Sequence, residues 1–278
     1  MLNVLCLTGG GCFCYGQAII LSKLKNLHKF SAFGGTSGGA INAIYTSSGQ
    51  SPHVLAEFWK QSAPKIFKGY WWRHHNLLCP KYNDKELNIS LQKILNFRFG
   101  DVKNTFACSH CLDLGRPHVF YSQDVDDADW QAWEVARASA AAQTYFNPWK
   151  GYADGGVFAN DASMFTIAGL KNHLNIPFEE MRVVTIGTGL QTENMSRNNP
   201  WNLVRWLKII LADELQGGSV SKERFYARET LGDGNFLLID FPRLNFSFDN
   251  SKVIYAIEKE WEKGINDAVA KIDAFLEQ

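Results

Sequence analysis

A serine flanked by glycines is the first feature of this sequence able to do covalent chemistry. Gly35-Thr36-Ser37-Gly38-Gly39 fits G-x-S-x-G, the pattern of a sharp strand-to-helix turn that exposes a nucleophilic hydroxyl. Glycines two positions to either side are needed because side chains there would collide across the turn. The amides that open the following helix favour negative charge beside the serine. A neutral hydroxyl is a weak nucleophile, so a base must accompany it. The seven histidines, His28, His53, His74, His75, His110, His118 and His173, do not fall where a late strand would set that base, and they read as surface or hydrogen-bonded polar residues. Asp154 is the better candidate. It lies in Tyr152-Ala153-Asp154-Gly155-Gly156-Val157, where two glycines let the chain approach another loop closely, although Asp-Gly-Gly alone is a common turn.

A third group completes the set. Gly9-Gly10-Gly11 sits between the first apolar run and the first helix, and its backbone N–H groups could hold the oxyanion that develops during acyl transfer. A phosphate-binding loop is the competing reading. No Gly-Lys-Ser/Thr follows, however, and Cys14 occupies the third glycine position of G-x-G-x-x-G counted from Gly9. Cys108-Ser109-His110-Cys111 has metal or redox spacing. It also lies in a strand pattern whose period of two sends Cys108 and Cys111 to opposite faces. The nearest other pair, Cys12 and Cys14, lacks metal-ligand spacing, so no metal is expected.

The elements that must position these residues alternate between strand and helix patterns, as in an α/β layered fold. Leu2–Leu7 is a buried-looking strand ending at the triple glycine. A helix begins near Gly16, with Ile20, Leu21, Leu24 and Leu27 at helical spacing. Residues 29–33 read as the second strand, and the chain then turns through Gly35 into a helix that Ser47-Ser48-Gly49 ends. Residues 52–99 are mainly helical and rich in aromatics. Strands resume at 105–114 and 118–122, and residues 182–186 form another before Gly187-Thr188-Gly189. Residues 251–278 give the clearest helix, with Ile254, Ile257, Trp261, Ile265, Val269, Ile272 and Phe275 forming an apolar stripe.

Composition bounds the function. The chain has 278 residues, 46% hydrophobic and 20% charged, ordinary values for a globular protein with a sizeable core. Lys+Arg and Asp+Glu both number 28, which argues against a nucleic-acid polymer as partner. No stretch approaches the roughly 20 apolar residues of a membrane span, and the first residues lack the charged start of a signal peptide. Six dispersed cysteines do not suggest a disulfide framework. A cytoplasmic location is the expectation, with peripheral contact at a membrane surface allowed.

Taken together and in this order, Gly9-Gly10-Gly11, Gly35-Thr36-Ser37-Gly38-Gly39 and Asp154-Gly155-Gly156 resemble the oxyanion loop, nucleophile elbow and catalytic-aspartate motif of the patatin-like phospholipase family. Ala136-Arg137-Ala138-Ser139-Ala140-Ala141-Ala142 with Thr144-Tyr145-Phe146, Val157-Phe158-Ala159-Asn160, and Ile186-Gly187-Thr188-Gly189 add to the resemblance, which covers roughly residues 2–190. One departure stands out. Family members follow the triple glycine with one residue, a basic residue and a glycine, whereas here Cys12-Phe13-Cys14-Tyr15-Gly16 is two residues longer and has no Lys or Arg.

The resemblance implies a three-layer α/β/α patatin-like fold with a mostly parallel central sheet, as a single domain over residues 1–278. It implies a Ser37–Asp154 dyad without histidine and without a cofactor. Oxyanion donors are expected among Gly9, Gly10, Gly11 and Cys12, with Gly35, Gly39, Gly155 and Gly156 shaping the turns. The implied substrate is a phospholipid or lysophospholipid, cleaved at an ester through an acyl-enzyme. Some bacterial relatives are membrane-degrading effectors switched on by a cyclic nucleotide, so such an activator is compatible. Tyr70-Trp71-Trp72 beside Arg73-His74-His75, and Trp201 and Trp206 beside Arg205 and Lys208, suit a membrane interface or the packing of a helical cap. An acyltransferase on the same scaffold and a catalytically silent ligand-binding module are the alternatives.

Overall fold

The computed structural model describes residues 1–69, 79–189 and 219–278. Both aromatic clusters read as membrane-facing, around Trp71 and around Trp201, lie outside the described residues, as do His74 and His75.

Among the described residues, seven strands make one mixed sheet: β1 (Leu2–Leu7), β2 (Phe30–Thr36), β3 (Asn104–Cys111), β4 (Arg116–Tyr121), β5 (Tyr152–Asp154), β6 (Met181–Ile186) and β7 (Phe236–Ile239). Their order is β4-β3-β2-β1-β6-β7, with β5 also paired to β3. The pairs β1–β2, β1–β6, β2–β3 and β6–β7 are parallel, while β4 and β5 run antiparallel to β3. The described helices are α1 (Cys14–Lys23), α2 (Gly38–Ser47), α3 (Pro52–Ile66), α4 (Asp84–Ile94), α5 (Ala132–Ser139), α6 (Ser163–Leu174), α7 (Ser219–Leu231), α8 (Val253–Glu260) and α9 (Glu262–Glu277).

The strands alternate their side chains between two cores, which is why they read as near-continuous apolar runs. Leu5, Leu7, Phe33, Val184 and Ile186 enter one core with residues of α1 to α5, α8 and α9. Val4, Cys6, Ala32, Met181 and Val183 enter the other with Ile167 and Leu170 of α6 and Ala227 and Leu231 of α7. Helices therefore cover both faces. In such a sheet, reactive loops collect beyond the carboxyl ends of the strands, where the winding reverses. Here that point is β1, with β2 on one side and β6 on the other.

Two expectations need correction. The helix expected to begin near Gly16 starts at Cys14, because the longer stretch after the triple glycine is taken up by a 3-10 turn, Gly11–Phe13. The single helix expected over residues 251–278 breaks at Trp261 into α8 and α9. The indole is anchored from outside the helix: Nε1 donates to the Pro242 carbonyl at 3.1 Å, and the ring stacks on Phe241 at 4.5 Å. It also lies where a side chain on Gly16 would stand, 2.8 Å from a Cβ built there. The apolar stripe still crosses the break, because the Trp261 N–H reaches Ile257 and the Ile265 N–H reaches Trp261. Among the described residues, no helix is long and apolar enough to cross a membrane.

Candidate active site

β3 is the common support of the two candidate reactive residues. β2 runs parallel to it and ends with Thr36 opposite Cys108. β5 runs antiparallel and ends with Asp154 opposite Ser109. Cys108 and Ser109 are consecutive, so two strands of opposite direction deliver Ser37 and Asp154 to the same level on the sheet.

Ser37 takes φ 56° and ψ −126° between β2 and α2. An L-residue with a side chain rarely adopts this region, and the strain costs of order 1–3 kcal/mol. Packing holds it there. A Cβ on Gly35 would lie 2.5 Å from the Gly39 carbonyl oxygen, and one on Gly39 would lie 2.1 Å from that of Leu7. Both glycines are thus required by backbone-to-backbone approach, as the elbow predicts. The Ser37 N–H donates to Ser139 Oγ at 2.9 Å, and that hydroxyl donates to the Cys108 carbonyl at 2.6 Å. Ser139, at the end of α5, therefore ties the turn to β3. Sequence reasoning assigned it no role; the one signal was a lone hydroxyl in an alanine-rich run.

Asp154 is buried, and its Oδ1 accepts the Gly156 N–H at 2.8 Å across the 3-10 turn Gly155–Val157. A Cβ on Gly155 would lie 2.4 Å from the Cys108 carbonyl oxygen, so only glycine lets this turn lie against β3. Burial pushes the carboxyl up to about 6, opposed by the Ser37 hydroxyl beside it and by the Gly156 amide. A carboxyl poised near neutrality beside a hydroxyl it can deprotonate is suited to general-base work. Among the described residues, no histidine hydrogen-bonds Ser37 or Asp154. His118 lies beside Asp127, and His173 packs on Tyr121.

The glycine loop after β1 meets the same site. A Cβ on Gly9 would fall 2.3 Å from Asn160 Oδ1 and 3.2 Å from Ser37 Cβ. Of the four expected oxyanion donors, two are committed elsewhere. The Gly9 N–H donates to the Asn160 carbonyl at 3.0 Å, and the Cys12 N–H donates to the Phe248 carbonyl at 2.7 Å. Gly10 and Gly11 are half-buried; the Gly10 N–H leans on the buried Cys14 sulfur, a weak acceptor, while the Gly11 N–H donates to no described residue. Thr188 Oγ fastens the loop from the β6 side by donating to the Gly9 carbonyl at 2.9 Å. Behind it, Gln17 Nε2 donates to the carbonyls of Thr8 at 2.8 Å and Ile186 at 2.9 Å, and Asn42 and Trp59 continue that buried chain.

Burial pushes the Cys12 and Cys14 thiols up, so both behave as small apolar groups and not as nucleophiles. Cys108 is likewise buried and pushed up, and packs with Ala159 and Ala162. Among the described residues, no group of three His, Cys, Asp or Glu side chains is placed to hold a metal ion.

Comparison with known proteins gives the family. A family model described as patatin-like phospholipase matches residues 5–165, more than half of the chain. A cGAMP-activated phospholipase of Escherichia coli (strain TW11681) is 26% identical over 220 residues, covering 67% of this chain and 62% of that protein. The match thus spans less than two thirds of that relative's length. Protein teg of Priestia megaterium is 23% identical over 300 residues and 92% of each chain. Among solved structures, VipD from Legionella pneumophila aligns over 99% of this chain and 66% of its own, with a TM-score of 0.53 and 13% identity, a likeness of fold. With the glycine loop, the elbow and the Asp-Gly-Gly turn all inside the matched span, the chain belongs to the patatin-like phospholipase family.

Proposed function

We propose that this protein is a serine-dependent lipid acyl hydrolase of the phospholipase A or lysophospholipase type, working through Ser37 and Asp154. The observation that carries the reading is the buried Asp154 carboxyl, raised to about 6 with the Ser37 hydroxyl beside it, next to the half-buried Gly10 and Gly11 amides, neither of which is bound to an oxygen of a described residue. Asp154 accepts the Ser37 proton as Oγ attacks the ester carbonyl. The carbonyl oxygen becomes an oxyanion held by Gly10 and Gly11. As the intermediate collapses, the proton passes to the leaving alcohol and the acyl group stays on Ser37. Water then attacks the acyl-enzyme, Asp154 takes its proton, and the free acid leaves with the Ser37 hydroxyl restored.

The substrate is a phospholipid or lysophospholipid, met by peripheral contact at a membrane surface. Family membership supports the lipid class. A cyclic nucleotide is the proposed activator, supported by the E. coli relative whose name carries cGAMP activation. An acyltransferase would use the same acyl-enzyme with a different acceptor, and added thiol or alcohol acceptors in the assay separate the two.

A fluorophosphonate probe tests the reading. It should label the protein at one site, and Ser37→Ala should abolish both labelling and release of fatty acid from phospholipid vesicles. Labelling that survives the substitution places the nucleophile elsewhere. The pH profile gives a second check. Because Asp154 must be ionised, kcat/KM on a soluble ester should be level above about pH 7 and fall towards tenfold per unit below about 6. A profile flat down to pH 4.5 would remove Asp154 from the base role.

A further inference from the structure

We infer that Asp249 is a positioning residue for the oxyanion donors: its carboxylate, held by Lys81 and Tyr82, latches a strap whose Phe248 carbonyl fixes the glycine loop. The inference rests on the acyl-hydrolase reading above and concerns residues that lie far apart in sequence and outside every motif discussed so far.

The strap is the segment just before α8. Its Phe248 carbonyl accepts the Cys12 N–H at 2.7 Å, directly after the two glycines proposed as oxyanion donors. Gly11 lies under the same residue, with φ +54°, and a Cβ there would be 2.5 Å from the Phe248 carbonyl oxygen and 2.9 Å from the ring. The position of Phe248 therefore sets where Gly10 and Gly11 point their N–H groups.

What holds Phe248 is the next residue. Asp249 is buried at 7% exposure, and its Oδ2 receives Lys81 Nζ at 2.5 Å and the Tyr82 hydroxyl at 2.6 Å, while Oδ1 receives the Ser247 hydroxyl at 2.5 Å. Three donors meet one carboxylate, which satisfies a charge that burial alone would penalise. Lys81 in turn lies over the rings of Tyr82 and Tyr145, and the Tyr145 ring packs on Phe248 at 4.6 Å.

The latch also touches the other half of the site. The N–H groups of Lys81 and Tyr82 donate to the carbonyls of Thr144 and Tyr145, each at 2.9 Å. In the same loop, Ala141 accepts the Asp154 N–H at 3.0 Å, and Gln143 Nε2 donates to the Asp154 carbonyl at 3.1 Å. One ion pair thus sits between the strand-end that carries the base and the loop that carries the oxyanion donors. The glycine loop has no basic residue of its own, and Lys81 bears on it only through Asp249 and the strap.

A donor displaced by about 1 Å loses much of its effect on a transition state while binding of the ground state changes little. The test uses the full-length protein with Asp249→Asn, Lys81→Met and both together. Asparagine keeps one acceptor oxygen, enough for either Tyr82 or Ser247, turns its NH2 towards the other, and weakens the tie to Lys81. On a soluble ester, each single variant should lose about 10–100-fold in kcat with KM within about twofold, and the double variant should lose no more than the worse single one. Fluorophosphonate should label every variant to wild-type stoichiometry but at a rate reduced in parallel with kcat. Full stoichiometry distinguishes a misplaced loop from a misfolded fraction.

Variants within twofold of wild-type kcat overturn the inference. So does a loss that appears as reduced stoichiometry or raised KM, which marks Asp249 as structural only. If the wild type itself takes no probe, the acyl-hydrolase reading fails first and this inference falls with it.

Discussion

Asp154→Asn is expected to abolish hydrolysis and, at pH 8, to make the protein more stable than the wild type. The two effects have one cause. Asp154 is buried, and burial raises its carboxyl from 3.8 to about 6. A carboxyl raised on folding contributes stability that is full below the unfolded value and lost as pH rises through about 6. At pH 8 the folded chain therefore carries an ionised group it would bind more easily as the acid. The shift corresponds to about 3 kcal/mol. Asparagine is neutral at every pH, can accept the Gly156 N–H through its oxygen, and can donate to Ser37 Oγ. It avoids the penalty and cannot take a proton. Turnover should fall by about 10³–10⁴-fold, while Tm rises by on the order of several degrees. The stability gain should shrink towards zero as pH is lowered to about 4. Thermal melts of both proteins from pH 4 to 8 check the sign; a variant less stable than wild type at pH 8 would show that the carboxylate is well accommodated.

The second large effect concerns folding. Gly39→Ala should destabilise the protein by at least about 3 kcal/mol, at the upper end of what overpacking costs, and should leave little of it soluble. Its Cβ would lie 2.1 Å from the Leu7 carbonyl oxygen and 2.7 Å from the Leu7 carbonyl carbon. These are backbone atoms at the end of β1, in the centre of the sheet, and they have no side-chain freedom with which to yield. Gly234→Ala is the matched control, because a Cβ there meets nothing within 4 Å. Denaturant midpoints should separate the two variants widely, and comparable midpoints would mean that the elbow can open without loss.

These residues also show how far the sequence could be read. Gly35 and Gly39 were legible because a tight turn imposes its glycine spacing locally, whatever surrounds it. Asp154 was legible only in company: its strand is three residues long, too short for any period to show. β7, with four residues, is hidden for the same reason. The break at Trp261 was hidden because the apolar stripe runs through it without interruption, and the cause, Pro242 and Phe241, lies in another segment. The resemblance named four oxyanion amides, yet Gly9 and Cys12 are bound to Asn160 and Phe248, partners far away in sequence. Asp249 and Lys81 had no signal at all, since an ion pair between two loops leaves no periodic trace.

The meeting of β2 and β5 on β3 has a further consequence. Thr36 and Asp154 stand opposite consecutive residues of one strand, so any motion of β3 displaces serine and aspartate in the same direction and by nearly the same amount. Their separation is insulated from breathing of the sheet, much as a differential circuit rejects a disturbance common to both inputs. Gly9 is tied to Asn160 and Thr188, but the stretch from Gly10 to Cys12 is held from the strap, outside that pairing. Thermal drift should then blur the positions of Gly10 and Gly11 before it changes the spacing of Ser37 and Asp154.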